Sequence, residues 1–503
     1  MSESRASHVV VIGGGVGGLA VAARLSVKGH RVTLVEQADR VGGKLFTYER
    51  DGFAFDTGPS LFTLPAVYRD LFLKTGKSLE QSVDLQELDP AFRYVFPDGS
   101  EVTLPGVDPA KCATAFGDAF GTQVEAQWRE FTARGAQMWH LTRGPFLQSP
   151  LKGWKSLIPL AKVRDVKSIA PFTSLRTLAR KYFTDPRMIM IVDRYATYTG
   201  SDPRRAPAVL ATIPYIEQVF GAWHIGGGLG VLATALEKRC TERGVDIRVG
   251  VTVTKIDTQG GSVSGVRLDT GEFIAADIVV SNSDATLTRD LLSQPDQKLM
   301  PKITDSPSLA GFVLLLALDG TTEGIAHHNV WFPENYNAEF DAIFARSPTP
   351  PNDPAIYACV PEDPQMRPSP DCESWFILVN APRHDSSGEN GFNWNTPGYK
   401  EQYAQQVLDA LAARGTDIRP RVKWQEIRTP ADLERNAMAP GGSIYGTSSN
   451  GPRAAFTRPA NQSNIPGLYL VGGSSHPGGG LPLVGMGAEI TAELIGRAEK
   501  PSP

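Results

Sequence analysis

Residues 9–20 read VVVIGGGVGGLA, and residues 31–36 read RVTLVE. Val9 to Ile12 is an apolar run of strand length. Gly13, Gly15 and Gly18 follow in G-x-G-x-x-G spacing, and a helix is expected from about Gly17 to Lys28. The first glycine permits a tight turn, the second lets backbone approach a pyrophosphate, and the third lets helix pack closely on strand. The start of that helix offers free N–H groups and a partial positive charge to phosphates. Arg31 to Val35 makes a second strand that ends at Glu36, 23 residues after Gly13. A ribose-binding acid should fall near that distance. Strand, glycine turn, helix and acid together predict a dinucleotide site. The pattern does not separate FAD from NAD. Arg40-Val41-Gly42-Gly43-Lys44 extends the unit. Two glycines and a cation can bring backbone and charge to a pyrophosphate; an ordinary glycine turn with a solvated lysine is the alternative.

Outward from this unit, the 503 residues suggest about three domain-sized blocks. Apolar residues make up 41% and charged residues 21%, which allows a large core and excludes global disorder. Fifty basic and 54 acidic residues leave a net charge of -4, which argues against a dedicated nucleic-acid binder. The cysteines, Cys112, Cys240, Cys359 and Cys372, form no C-x-x-C pair. That excludes a zinc ribbon and suits a reducing compartment. No run of 18 apolar residues exists, and the strand at Val9 to Ile12 leaves no room for a cleaved leader. The expectation is a cytoplasmic chain without a membrane span.

Further along, a hairpin is expected at Pro97-Asp98-Gly99. Residues 110–220 read as mostly helical, interrupted by prolines. A glycine cluster precedes a helix at Leu229 to Arg243, and three strand-like stretches follow up to residue 282. Residues 308–318 and 374–380 look like buried strands, and 398–414 like a helix. The segment 466–497 is again strand, glycine-proline loop and helix. Dinucleotide-domain texture at both ends implies one nucleotide domain assembled from separated segments.

The strings VVVIGGGVGGLAVAARLSVKGHRVTLVEQADRVGGKL and FDTGPS resemble the amino-terminal FAD site of the carotenoid desaturase family, which includes phytoene desaturases and lies within the flavin amine oxidase superfamily. HIGGGLGVLATALEKRCTERGVDIRVGVTVTKI, ATYTGSDPRRAPAVLATIPYIEQVFGAW and GLYLVGGSSHPGGGLPLVGMGAEITAELIG are similar to the same family, so the matches spread over nearly the whole chain. The resemblance implies an α/β fold. A Rossmann-like FAD-binding domain would comprise 1–75, 222–295 and 440–503. A mixed-sheet substrate domain would comprise 76–109 and 296–439, and a helical, membrane-facing subdomain 110–221. It also implies that Gly13, Gly15 and Gly18 hold the FAD pyrophosphate and Glu36 the adenosine ribose. Gly43 and Lys44 would border the pyrophosphate, although many relatives carry arginine at the Lys44 position. Gly58 and Pro59 would lie near the flavin, Val253 would contact adenine through its backbone, and Gly473 to Leu483 would hold the ribityl chain and pyrimidine edge. The helix entry near Leu483 can aim N–H groups at the flavin and stabilise its reduced, negative form.

The implied reaction is desaturation of a long apolar polyene, phytoene-to-lycopene type, by hydride transfer to flavin, with oxygen or a quinone as terminal acceptor. A 3,4-desaturase of a hydroxylated carotenoid is the alternative. The cofactor carries this chemistry, so no catalytic dyad is required. His476, in the carboxy-terminal loop, is a weak candidate for a proton relay; a histidine satisfied by loop backbone is the plainer reading. His224 reads as packing or capping, and His327-His328 as surface rather than metal ligands. Residues 145–183 carry eight cations (Lys152, Lys155, Lys162, Arg164, Lys167, Arg176, Arg180, Lys181) against the single acid Asp165, with apolar residues interleaved. This block suits a peripheral contact with an anionic membrane, or else a solvated basic face. Two other classes stay open: an amine oxidase, disfavoured by the lack of aromatics from Val471 to Ala488, and a non-catalytic flavin- or carotenoid-binding protein.

Overall fold

A computed structural model of the chain describes residues 7–151, 167–298, 300, 306–451, 454 and 458–498. The first strand, β1 (His8–Ile12), runs into helix α1 (Val16–Val27) and then β2 (Arg31–Val35). A five-stranded sheet is built around them. Its order is Leu468–Leu470, Ile278–Ser281, β1, β2, Asp246–Arg248, and every pairing is parallel. Val9, Val10 and Val11 are fully buried. A parallel strand covered on both faces needs such an unbroken apolar run. Helix α1 packs between the helices Gly230–Glu242 and Leu481–Ile495, which explains why nearly all of its residues are buried. Gly18 makes the close approach possible: a Cβ there would stand 2.1 Å from the Gly13 carbonyl oxygen.

A second sheet has seven strands, in the order Val422–Arg428, Ala310–Asp319, Cys372–Ala381, Ile356–Cys359, His328–Trp331, Phe92–Val95, Glu101–Leu104. It is mixed. His328–Trp331 pairs parallel with Phe92–Val95, and the other neighbours are antiparallel. The hairpin expected at Pro97-Asp98-Gly99 joins its last two strands. The helices Pro109–Phe120, Thr122–Thr142, Pro186–Thr197 and Thr212–Phe220 stand beside this sheet. Trp128, Phe131 and Ile191 from the helices share one apolar core with Phe92, Tyr94 and Val330 from the sheet. The helical segment is thus fastened to the mixed sheet by common packing.

Two readings of the sequence are corrected here. The pair His327-His328 is not at the surface: His328 is fully buried, its Nδ1 2.8 Å from the Tyr357 hydroxyl, and His327 packs against His224. The register sets His328 opposite Cys359, so strand pairing carries it into the sheet. The basic block at 145–183 is also less uniform than its composition. Arg176 is buried in an ion pair with Asp193, and Leu175 belongs to the core. Lys152, Lys155, Lys162, Arg164 and Asp165 lie outside the described residues. Among the described residues, no helix is long and apolar enough to cross a membrane.

Candidate cofactor and substrate site

A cavity of about 1100 Å³ lies across the carboxyl ends of the parallel strands and continues under the mixed sheet. Ligands in open α/β sheets bind at such strand ends. Gly13, Gly15, Glu36, Gly43, Lys44, Gly58, Pro59, Val253 and Gly473 all line it. Two residues of the expected set do not. Gly18 acts one layer back, where its missing side chain lets α1 sit on the turn. Leu483 turns instead into a small apolar cluster with Leu64, Trp139 and Met486, while Leu481, Pro482 and Val484 face the cavity. The helix begins two residues earlier than Leu483, which rotates that side chain away from the cavity.

Two helix starts open onto this space without caps of their own. Helix α1 begins after Gly15 and Leu481–Ile495 after Gly480; neither has a side-chain cap or an acidic residue in its first turn. Unpaired N–H groups and the positive helix end favour an anion at both places. At the first, a Cβ on Gly15 would come 2.8 Å from the Asn282 amide nitrogen, so a side chain there would displace the Asn282 amide that donates to the Gly13 carbonyl. The Glu36 carboxylate accepts from the Gly14 N–H at 2.6 Å and the Ala38 N–H at 2.9 Å. These bonds fix its orientation, and a carboxylate retains further acceptor sites for ribose hydroxyls. The donors, the oriented acid and the volume of the cavity fit a flavin dinucleotide.

Next to Lys44 the cavity is bounded by the strap 443–447, of which Ile444, Tyr445 and Gly446 line it. Lys44 Nζ donates to the Ser443 and Ile444 carbonyls at 3.3 and 3.0 Å. Buried Arg458 grips the other side, donating to the carbonyls of Tyr445, Gly473 and Thr447 at 3.0, 2.8 and 2.7 Å. Burial pushes the Lys44 ammonium down to about 8 and the Arg458 guanidinium down to about 10, with Asp284 opposing both. Lys44 therefore holds the strap as well as facing the cavity. His476 does not line the cavity. Its Nε2 lies 3.0 Å from the Ser149 carbonyl and its ring stands edge-on to Phe146, so it ties the carboxy-terminal loop to the segment 146–149. Burial lowers its pKa, opposed by those backbone contacts.

Beyond the strap the lining turns apolar, with Ile213, Ile216, Val313, Val330, Phe376 and Leu378. Tyr198, Tyr336, Tyr357 and Tyr445 also reach it. Aromatics are absent from the carboxy-terminal loop, yet other segments supply them; their absence from one loop does not describe the chamber. In the chamber wall, the Ser60 and Tyr357 hydroxyls are 2.7 Å apart, and behind it Tyr357 meets His328. Burial pushes the His327 imidazole down to about 3, with His224 adding to the effect and Asp363 opposing it.

Residues 16–482 match the family described as flavin containing amine oxidoreductase. The chain belongs to this family. It is an FAD-dependent oxidoreductase with a Rossmann-like α/β fold and a mixed sheet. It is 33% identical over 501 residues to a 4,4'-diapolycopene oxygenase of Methylomonas sp, with 98% of this chain and 99% of the relative covered. It is 31% identical over 505 residues to the 4,4'-diaponeurosporene oxygenase of Staphylococcus aureus (strain USA300), with 98% of each covered. An oxidoreductase from Methanosarcina mazei has the same fold, with a TM-score of 0.61 at 18% identity over 97% of this chain and all (100%) of that one. Putrescine oxidase bound to putrescine shares it too, at a TM-score of 0.64 and 13% identity over 97% of this chain and 99% of that one.

Sequence reading missed Asn282, Arg458 and the group Arg194, Tyr198 and Glu217. Asn282 could have been found, because it directly follows the strand Ile278–Ser281 that flanks β1. Arg458 and Arg194 carry no motif; only the fold shows that they are buried.

Proposed function

We propose that this enzyme oxidises a long apolar polyene of the carotenoid class, removing hydrogen from a carbon next to the conjugated chain. The observation that carries this reading is the undivided cavity, in which an anion-binding cradle opens directly into an apolar chamber. The full-length relatives, named for carotenoid oxygenases, support the same substrate class. FAD supplies a hydride acceptor when bound. The chain's own residues do the rest. The glycine turn and the two helix starts bind and orient the dinucleotide. Ile213, Ile216, Val313 and Leu378 hold the hydrocarbon and exclude water. Loss of hydride beside a conjugated chain leaves charge spread over many carbons, so a strong base in contact is not required.

Desaturation, of phytoene-to-lycopene type or at the 3,4 position of a modified carotenoid, is the reaction proposed first. Oxygenation of a polyene end is the second reading, favoured by the names of the relatives at 33% and 31% identity. Expression in cells that accumulate phytoene, lycopene or hydroxylated carotenoids separates them. Desaturation lengthens the conjugated system with no gain of oxygen, and oxygenation adds mass to the pigment. Unchanged pigment in every strain, from a protein that retains FAD, would overturn both. Oxygen or a quinone is proposed as the final electron acceptor, to be identified by which of them reoxidises the reduced protein.

Peripheral membrane contact through the 145–183 region is part of the same proposal. Phe172 is 89% exposed, and Lys167, Arg180 and Lys181 are exposed near it in sequence. An apolar side chain among cations suits an anionic lipid surface. Reversing Arg180 and Lys181 to glutamate should reduce binding to anionic liposomes; equal binding removes the membrane contact and leaves the polyene reading standing.

A further inference from the structure

The apolar chamber has a charged corner, made by Arg194 and Tyr198 from one helical segment and Glu217 from the next. Arg194 is 8% exposed and Glu217 5%. The Tyr195 and Tyr198 hydroxyls donate to the two Glu217 carboxylate oxygens at 2.6 and 3.1 Å. Arg194 Nη1 donates to the Tyr198 hydroxyl at 2.9 Å. Among the described residues no ion pair joins Arg194 to Glu217; the tyrosine hydroxyl stands between them. The rest of the guanidinium is surrounded by rings. Those of Tyr198, Tyr357, Phe92 and Tyr94 lie 5.0, 5.5, 5.7 and 5.8 Å from its central carbon.

A guanidinium carries five N–H donors and no acceptor. Among the described residues Tyr198 is its hydrogen-bond partner, and aromatic faces meet its charge without accepting its remaining N–H groups conventionally. A buried cation with spare donors beside a cavity is costly unless a ligand supplies an acceptor. A pure hydrocarbon supplies none. The charge balance narrows the ligand further. Glu217 stands in the same corner, where a second carboxylate would meet a like charge. Burial raises the Glu217 pKa, opposed by Arg194 and the two tyrosines.

We propose that Arg194 and Tyr198 receive a neutral oxygen, a hydroxyl or carbonyl, at one end of the polyene, so that the preferred substrate is already oxygenated. This rests on the polyene reading above and makes Arg194 a specificity residue for it. A reaction that installs oxygen on the polyene must then come earlier, or be an earlier turn of this same enzyme.

The test uses the full-length, FAD-loaded protein. It is titrated with an acyclic polyene hydrocarbon and with the same polyene bearing a terminal alcohol or aldehyde, and the shift of the bound polyene's visible band is followed. The oxygenated ligand should bind about tenfold tighter or more, the size expected for hydrogen bonds to a charged group. Arg194→Gln and Tyr198→Phe should each bring that ratio towards one, and Arg194→Lys should restore part of it. FAD content and melting temperature report folding; if Arg194→Gln fails to fold, Tyr198→Phe decides. Equal binding of both ligands to the unaltered protein overturns the proposal and leaves the polyene reading intact. So does an unchanged ratio in folded variants, or tighter binding of the carboxylate-ended polyene than of the aldehyde. Binding of no polyene at all overturns the polyene reading itself.

Discussion

The two halves of the cavity are built from different materials. The glycine-lined half is made largely of backbone: glycines at 13, 15, 43, 58 and 473, and two helix starts whose N–H groups have no caps, with Glu36 and Lys44 as added side chains. The chamber half is made of side chains from segments far apart in the chain, such as Ile213, Val313 and Leu378. Backbone sites tolerate almost no added volume, because main chain cannot withdraw as a side chain can. Side-chain walls can change size and still enclose a hydrocarbon. The first half should therefore fail abruptly and the second by degrees.

The sharpest way to break that contrast is Gly18→Val. Its Cβ alone would sit 2.1 Å from the Gly13 carbonyl, so α1 must move off the turn. Overpacking of this kind costs about 1–3 kcal/mol or more, and we expect protein purified without bound flavin. Full flavin absorbance in the variant would show the turn to be softer than drawn. Glu36→Ala comes next. It removes an oriented acceptor and leaves the Gly14 and Ala38 N–H groups without this partner. FAD affinity measured by flavin fluorescence should fall about 10–100-fold, the worth of a charge-assisted hydrogen bond.

A pH experiment sharpens the contrast from the chamber side. Burial holds His327 neutral down to about pH 3, whereas the unfolded histidine takes up a proton near its ordinary value of 6.5. Below 6.5 the unfolded state binds the extra proton, so this histidine lowers stability as pH falls. Asp56 acts oppositely, because burial raises its pKa to about 6 and the folded state takes its proton first. Comparing His327→Gln with the unaltered chain cancels Asp56. The variant should gain in relative stability by up to about 1.4 kcal/mol for each pH unit below 6.5, measured by denaturant titration. Parallel stability curves would show that His327 is protonated in the fold. The smallest effect is expected for Ile216→Ala, which widens the chamber. Substrate KM should change only about three- to fivefold, equivalent to about 1 kcal/mol, with FAD content unchanged. Loss of flavin from this variant would show that the two halves are not separable.

The same contrast explains what could be read from the sequence. The turn at residues 13–18, Glu36 and the uncapped carboxy-terminal helix are local, and each was legible because glycine spacing records a backbone path directly. The direction of the Leu483 side chain was not legible, because the first residue of a helix, here Leu481, sets which side chains turn inward and composition does not fix that residue. His327 and His328 looked exposed because nothing near them in sequence announces that Cys359 lies across the strand. The membership of the chamber lay beyond reading for the same reason: Arg194, Tyr198 and Glu217 meet through helix packing, which leaves no spacing rule.

The central sheet has a consequence for how such a gene can change. Its neighbouring strands come from residues 8–12, 31–35, 246–248, 278–281 and 468–470. One recombination crossover between residues 35 and 468 would graft half of a hydrogen-bonded ladder onto a stranger. The coenzyme cradle cannot be traded as a cassette while the hydrocarbon room stays behind. The two must be inherited together, and new specificities have to arise by point changes in the walls.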